Sequence, residues 1–191
     1  MSQTITDVLN RLIPIINIVH RLPITTNKGR PGLFLEELLG IPHTSNCLDC
    51  SDGEVKTFPV KKLRNGVFVP KESVAVTMLS ITDIVANDYN SSKCCIKMSK
   101  VLFVPYYREG DTIQFIQPKI VERGCNEFSE LYTIIENDYT EIRNLYLEKN
   151  ILQSKTGTLL QNRTKGAGHG STSRAFYLRP EFMKRYIPLN L

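Results

Sequence analysis

The chain has 191 residues, of which 41% are hydrophobic and 23% charged, an ordinary balance for a globular protein with a real core. No run of about 18 apolar residues occurs, and the apolar stretch near the N-terminus is interrupted by polar residues and lacks a cleavage site. We therefore expect no membrane helix, no signal peptide, and a single domain over residues 1–191. The five cysteines, odd in number, indicate reduced thiols in the cytoplasm.

The net charge of +5 is unevenly distributed. Residues 151–191 contain seven Lys or Arg side chains and one acid, so the remainder of the chain is slightly negative. A basic segment that also carries Gly, Ser and Thr suits a polyanionic partner. The alternative is a solvated surface with scattered charge, and this segment alone does not decide between the two.

Two helices are predicted in the N-terminal part of the chain. Apolar residues recur with helical spacing from Ile5 to Leu22, with a kink at Pro14. A second helix runs from Gly32 to Gly40, with Pro31 in its first turn and the final glycine as its stop. Glu36 lies beside the buried stripe of this second helix.

A β-hairpin is predicted at roughly 46–60, because the Asp52-Gly53 pair is a strong turn signal. Glu54 and Lys56 are two residues apart, so they share one face of a strand. The turn would bring Asp49 beside Glu54, and two carboxylates can hold a hard divalent cation through oxygen. A neighbouring ammonium can position a water that attacks a phosphate. Without the acid across the turn, Glu-x-Lys would indicate only a solvated face.

Strands and helices follow along the rest of the chain. Strands are predicted at 67–69, 73–81, 101–104, 113–120 and 176–178, with a polar loop at 82–93. A long helix is predicted from Glu127 to Leu147 and a last one from about Pro180 to Tyr186. This order indicates a mixed α/β domain with a sheet of about five strands.

A glycine-rich basic loop is predicted from Arg163 to Arg174. Glycines let the backbone approach a phosphate closely, while Arg and Lys supply charge and Arg can also bind guanine edges. His169 could act as a general base, although a histidine between two glycines is more typical of a phosphate or structural contact. A flexible surface loop is the alternative.

The cysteines admit a second interpretation. Cys47 and Cys50 have the spacing of half a zinc site, and the adjacent Cys94 and Cys95 would have to supply the other half. A vicinal pair is poor tetrahedral geometry, so the pattern favours small buried hydrophobes over a zinc-stabilised module.

Four blocks of the sequence together resemble the MutH-type endonucleases, the group that holds the mismatch-repair strand-nicking enzyme and related type II restriction enzymes. The blocks are 28–40, 49–60, 97–105 and 174–179, and they run in family order. The Glu-x-Lys-Thr-x-Pro-Val block at Glu54 and the Arg-x-Phe-Tyr-Leu block at Arg174 are the most specific. The resemblance implies a restriction-endonuclease-like core, in which a central mixed β-sheet is flanked by helices.

The resemblance also implies cleavage of double-stranded DNA with Mg²⁺. The catalytic residues would be Glu36, Asp49, Glu54, Lys56 and Lys97. Three of them (Glu36, Asp49 and Glu54) would hold the metal, with Asp52 as the alternative to Asp49. The residues that contact DNA would be Arg163, Lys165, His169, Arg174 and Tyr177.

We therefore expect a sequence-specific type II restriction endonuclease, cutting at sites that resemble GATC as many members of the group do. It would act as a monomer or as a homodimer on a palindromic site. One alternative is a mismatch-repair enzyme that nicks one strand. Another is a DNA-binding protein without catalysis, although several acids near DNA would repel phosphate without a cation.

Overall fold

The computed structural model describes residues 3–27, 29–42, 46–166 and 172–189. Its internal contacts divide the chain into two compact units. The first comprises Met1–Glu72, Lys100–Val121 and Met183–Leu191, and the second comprises Ser73–Ser99 and Glu122–Phe182. Within the described ranges, no helix is long and apolar enough to cross a membrane.

The helices and strands are named in chain order. They are α1 (Ile5–Leu12), β1 (Val19–Arg21), α2 (Arg30–Leu39), β2 (Glu54–Lys62), β3 (Phe68–Pro70), β4 (Val74–Met78), α3 (Ile81–Ala86), α4 (Lys93–Met98), β5 (Lys100–Glu109), β6 (Thr112–Phe115), β7 (Lys119–Glu122), α5 (Ser129–Lys149), β8 (Leu160–Thr164), β9 (Arg174–Leu178) and α6 (Pro180–Tyr186). Short 3-10 turns at Ile13–Ile15 and Asn126–Phe128 follow α1 and precede α5.

The larger sheet has the strand order β1-β6-β5-β2-β3, and β7 also pairs with β5. The β2–β5 pair is parallel, with Glu54 opposite Val101, whereas β1–β6, β5–β6 and β2–β3 are antiparallel. This confirms the predicted fold class, a mixed α/β protein with a mixed central sheet flanked by helices. The strand predicted at 113–120 is in fact two strands, because the segment 116–118, which contains Pro118, lies between β6 and β7.

The helices α1 and α2 cover this sheet with apolar side chains. The shared core contains Ile5, Val8 and Leu12 from α1, Leu35 and Leu39 from α2, and Leu102, Val104, Ile113 and Phe115 from the strands. The predicted limits of α2 are confirmed within two residues: Pro31 lies in its first turn, and Gly40 ends it in a left-handed conformation with φ of 59°. Glycine reaches this conformation without the steric cost that a Cβ atom adds.

The helix predicted from Ile5 to Leu22 is too long. It starts with a capping box, in which Thr4 Oγ1 accepts a hydrogen bond from the Asp7 N–H and the Asp7 side chain accepts one from the Thr4 N–H. It then ends at Leu12, and Pro14 falls in the 3-10 turn that follows. Asn17 adopts a positive φ of 64°, which turns the chain into β1. The remaining apolar spacing therefore belongs to a turn and an edge strand.

The second unit contains the antiparallel sheet β4-β9-β8, and α5 packs against β8. The loop that the sequence predicts at 82–93 is shorter, because α3 covers residues 82–86 and α4 begins at Lys93. Each begins with a serine cap, where Ser80 Oγ accepts from the Asp83 N–H and Ser92 Oγ accepts from the Cys95 N–H. With six residues each, these helices are too short to display a helical period in the sequence.

A buried carboxylate fixes the entry to β8. Asp138 on α5 is only 4% exposed. It accepts hydrogen bonds from the backbone N–H groups of Thr158, Leu159 and Leu160 at 2.7, 2.7 and 2.8 Å. Arg179 holds the same loop by donating to backbone carbonyls, including that of Ser154 at 2.7 Å. The start of the β8–β9 hairpin is therefore held by buried hydrogen bonds rather than by sheet pairing alone.

Candidate active site

The hairpin predicted at 46–60 does not form. Residues 46–52 are bends, and the strand β2 starts at Glu54. A tight turn remains, since the Cys50 N–H donates to the Gly53 carbonyl at 2.9 Å. A Cβ atom at position 53 would lie 2.4 Å from the Lys100 carbonyl oxygen and 2.8 Å from Ile5 Cγ1. The turn is thus pressed against β5 and α1, and the parallel strand β5 takes the place of the predicted hairpin partner.

Three of the predicted catalytic residues nevertheless gather where β2 begins. Asp49 Oδ2 accepts a hydrogen bond from the Val55 N–H at 3.0 Å, which places its carboxylate beside the strand. Glu54 is completely buried, and Lys56 Nζ lies 2.6 Å from its Oε2. The Lys56 side chain keeps 22% of its surface exposed. We call Asp49, Glu54 and Lys56 the strand-start cluster; its pairing of Glu54 with Lys56 follows from the two-residue period of a strand.

Asp52, the alternative metal ligand, has a structural role. Its Oδ1 accepts from the Ile5 N–H at 2.7 Å, and its Oδ2 lies 3.0 Å from Lys100 Nζ. Burial acts to raise the pKa of Asp52, but the bonds from Ile5 and Lys100 outweigh it and hold the pKa below its usual value. Asp52 therefore ties the turn to α1 and to β5. Both of its oxygens are engaged, which favours Asp49 over Asp52 as a ligand.

The pKa of the Cys50 thiol reflects its burial and the carboxylates around it. Cys50 is only 3% exposed, and its pKa is raised to about 11, first by burial and then by the charges of Asp49, Asp52 and Glu54. Cys47, by contrast, is exposed.

In the part of the chain that the structure describes, no three His, Cys, Asp or Glu side chains are grouped to hold a metal. The zinc-stabilised alternative gains no support, and the predicted set of three carboxylates is not assembled.

The strand-start cluster has the donor chemistry of a site for a hard divalent cation. Carboxylate oxygens are the ligands that Mg²⁺ prefers. Glu54 already holds a cationic ammonium at Oε2, and Asp49 uses only Oδ2 among the described residues. Glu36 lies on α2, which passes close to β2. A Cβ atom added at Gly32 of this helix would lie 3.3 Å from Thr57 Oγ1 of β2. Its role as a third ligand stays a prediction.

Four of the predicted DNA-contacting residues, Arg163, Lys165, Arg174 and Tyr177, lie in the second unit, on or next to the strands β8 and β9. The Arg163 guanidinium carbon lies 5.3 Å from the centre of the Tyr177 ring, and Arg174 Nη1 donates to Asn162 Oδ1 at 2.7 Å. An open cavity of about 290 Å³ is lined by Ser154, Gln161, Arg163, Thr164 and Arg174. The loop predicted from Arg163 to Arg174 is shorter, because its two end residues belong to the strands. Lys165 directly follows β8.

Two further predictions have different outcomes. Lys97 lies in the last turn of α4, shortly before β5, as the sequence indicated. It belongs to the second unit, and its catalytic role stays a prediction. His169 falls outside the described residues.

The sequence matches a family model described as DNA mismatch repair enzyme MutH over residues 45–144, just over half of the chain. The chain belongs to the MutH family. Members of the MutH family are DNA endonucleases, and the mixed sheet flanked by helices is consistent with their restriction-endonuclease-like fold. The MutH match includes the strand-start cluster and Lys97, whereas Glu36 and the residues of the β8–β9 hairpin lie outside it. No curated protein matches the chain.

Sequence reasoning missed the lysine that supports this site. Lys100 pairs with Asp52 through its side chain and meets Gly53 through its carbonyl. The available signal was its position, since it immediately precedes the apolar run Val101–Val104. That run was predicted as a strand, but nothing local showed that it would lie parallel to β2.

Proposed function

We propose that this protein is a Mg²⁺-dependent endonuclease that cuts both strands of double-stranded DNA at a specific sequence, as a type II restriction enzyme does. The observation that carries the proposal is the strand-start cluster. Lys56 Nζ lies 2.6 Å from Oε2 of the buried Glu54, and the Asp49 carboxylate accepts a hydrogen bond from the Val55 N–H. Membership of a DNA endonuclease family supports phosphodiester hydrolysis as its chemistry.

In this proposal each residue of the cluster has a distinct task. Asp49 and Glu54 would hold Mg²⁺ through carboxylate oxygens, with Glu36 as a further ligand on the family resemblance, and the ion would supply Lewis-acid stabilisation of charge on the phosphate. Lys56 donates a hydrogen bond from Nζ to the attacking water and orients it toward phosphorus. Lys97 is kept as an assisting lysine on the resemblance alone.

The β8–β9 hairpin is proposed to contact the DNA. Arg163, Lys165 and Arg174 supply positive charge, and Tyr177, which stacks near Arg163, supplies an aromatic surface. His169 would add a phosphate contact. The same proposal includes a recognition site that resembles GATC and action as a monomer or as a homodimer on a palindrome. It also includes one endonuclease domain over the whole chain and a cytoplasmic location.

The proposal is tested by incubating the purified protein with supercoiled, unmethylated plasmid in Mg²⁺ or in EDTA. The informative variant is Asp49→Asn, which keeps an oxygen to accept the Val55 N–H but loses the charge. The matched control is Asp111→Asn, a change to an acid that is half exposed and pairs only with the exposed Arg21 among the described residues. We expect discrete Mg²⁺-dependent fragments from the wild-type protein and the control, and none from Asp49→Asn. Equal cleavage by Asp49→Asn would refute the assigned role.

A second candidate function is strand nicking in mismatch repair, which the description of the matching family favours. Conversion of the plasmid to open circles without linear fragments would select this candidate. DNA binding without any cleavage, in Mg²⁺ and at low salt, would instead indicate a DNA-binding protein that has lost its chemistry.

A further inference from the structure

The β2–β3 hairpin of the first unit is basic and lies at the opposite end of β2 from the strand-start cluster. Its segment 60–71 contains Lys61, Lys62, Arg64 and Lys71 and no acid. All four residues are exposed. Among the described residues, Lys61, Arg64 and Lys71 form no ion pair. We call these four residues the basic hairpin.

The basic hairpin is an ordered part of the sheet. Lys61 lies opposite Val69 and Lys62 opposite Phe68 in the antiparallel register. The Leu63 N–H donates to the Val67 carbonyl at 2.8 Å, which closes the turn. Lys62 Nζ lies 5.8 Å from the centre of the Phe68 ring. Lys61 and Lys62 therefore lie on a paired strand, and Arg64 lies in the closed turn that follows. The hairpin backbone is already ordered, so it loses little conformational entropy when it binds a partner.

The same strand edge borders a cavity with a further cation. The cavity has a volume of about 320 Å³ and is lined by Phe68, Val69 and Pro70 of β3 and by Lys184, Ile187, Pro188 and Leu189. Lys184 is exposed as well. The cavity that borders β3 therefore includes one lysine among its lining residues.

We propose that the basic hairpin is a second DNA-contacting surface, which binds the sugar-phosphate backbone of duplex that flanks the cleaved position. This inference rests on the proposed endonuclease function. Along β2, Lys61 lies seven residues after Glu54, and at about 3.3 Å per residue this is about 23 Å. Duplex DNA advances about 3.4 Å per base pair, so a duplex whose axis runs along β2, as we propose, would present phosphates about seven base pairs from the cleaved bond to the hairpin.

The side chains of the hairpin indicate backbone contact rather than base reading. Three of the four cations are lysines, which act as point charges toward phosphate, and phosphate contacts carry no sequence information. The proposal assigns the fourth, Arg64, to phosphate as well. Asn65, the one amide side chain in the hairpin, is already used in the turn, where its Oδ1 accepts from the Val67 N–H at 3.2 Å. The hairpin would therefore raise affinity for all sequences equally and make binding more sensitive to salt.

The experiment compares Lys61→Gln/Arg64→Gln with the control Lys93→Gln/Lys149→Gln. Both variants remove two exposed positive charges, so the net charge of the protein is the same in each. Binding is measured by fluorescence anisotropy in EDTA over a range of KCl concentrations, on duplexes of about 30 and about 10 base pairs that share one centre. Thermal unfolding of each variant shows whether the fold is retained.

We expect the hairpin variant to lose affinity for the long duplex by about tenfold, with a salt dependence reduced by about two in log–log slope. Its affinity for the short duplex and the binding of the control variant should match the wild-type protein. Equal binding of the long duplex by the hairpin and control variants would overturn this inference alone, provided that the wild-type protein cuts DNA. A wild-type protein that neither binds nor cuts duplex would overturn the proposed function together with it.

Discussion

Replacing Lys56 by methionine should destabilise the protein, because it removes the ammonium that lies 2.6 Å from Glu54 Oε2. Glu54 is completely buried, and removing one partner of a buried ion pair costs about 3–5 kcal/mol. The Lys56 side chain is 22% exposed, so some water reaches the pair, and we expect a loss near the lower end, about 3 kcal/mol.

A double-mutant cycle separates the pair from other effects of the substitution. Glu54→Gln/Lys56→Met removes both charges, and replacing a whole buried pair is often close to neutral. The double variant should therefore regain most of the stability that Lys56→Met loses, which corresponds to a coupling of about 2 kcal/mol between the two sites.

The measurement is urea unfolding in EDTA, with Lys61→Met as the control for an exposed lysine on the same strand. If Lys56→Met unfolds within about 0.5 kcal/mol of the wild-type protein, the pair does not carry the assigned stability. The result also bears on catalysis, since loss of cleavage in a Lys56 variant is interpretable only when that variant is folded under the assay conditions.

Four further predictions concern the supporting structure. Gly53→Ala should cost about 2 kcal/mol in urea unfolding, since its Cβ atom would lie 2.4 Å from the Lys100 carbonyl; unchanged stability would contradict this close approach. Iodoacetamide at pH 8 should modify the exposed Cys47 and spare the buried Cys50, as read by peptide mass spectrometry. Folding raises the pKa of Cys50 from about 9 to about 11, so the native state holds the thiol proton more tightly than the unfolded chain does. The free energy of unfolding should therefore fall as the pH rises from about 9 to about 11, and a flat profile over this range would argue against the shift. Asp138→Ala should cost about 3 kcal/mol, because it leaves three backbone N–H groups without their acceptor, and those of Leu159 and Leu160 are buried. A loss below about 1 kcal/mol would contradict that role.

The positions of the proposed catalytic residues could be predicted where the signal was local. Glu54 and Lys56 share a strand face because they are two residues apart, and this holds whichever strand lies beside them. Asp49 was placed correctly near Glu54 for a partly wrong reason. The turn at Cys50 and Gly53 is real, but the strand that accompanies β2 is β5, far along the chain. Which strand pairs with which is a long-range property that a local pattern does not contain.

The wrong boundaries have similar causes. The apolar residues after Pro14 keep a helical spacing, yet the positive φ of Asn17 and the pairing of β1 with β6 end the helix at Leu12. The segment 82–93 looked like a loop because eight of its twelve residues are polar. The two helices that fall partly within it are stabilised by their caps and by burial of residues such as Ile84 and Cys94.

The pairing of β2 with β5 also bears on the order in which the protein can fold. The two strands are separated in the chain by the whole segment Ser73–Ser99, which belongs to the other unit. Parallel pairing over such a distance is slow, because the long loop must close before any contact rewards it. A chain emerging from the ribosome as far as β4 already holds Asp49, Glu54 and Lys56. It still lacks β5 and Lys100, so its carboxylates acquire their fixed positions only after more than half of the protein has been synthesised.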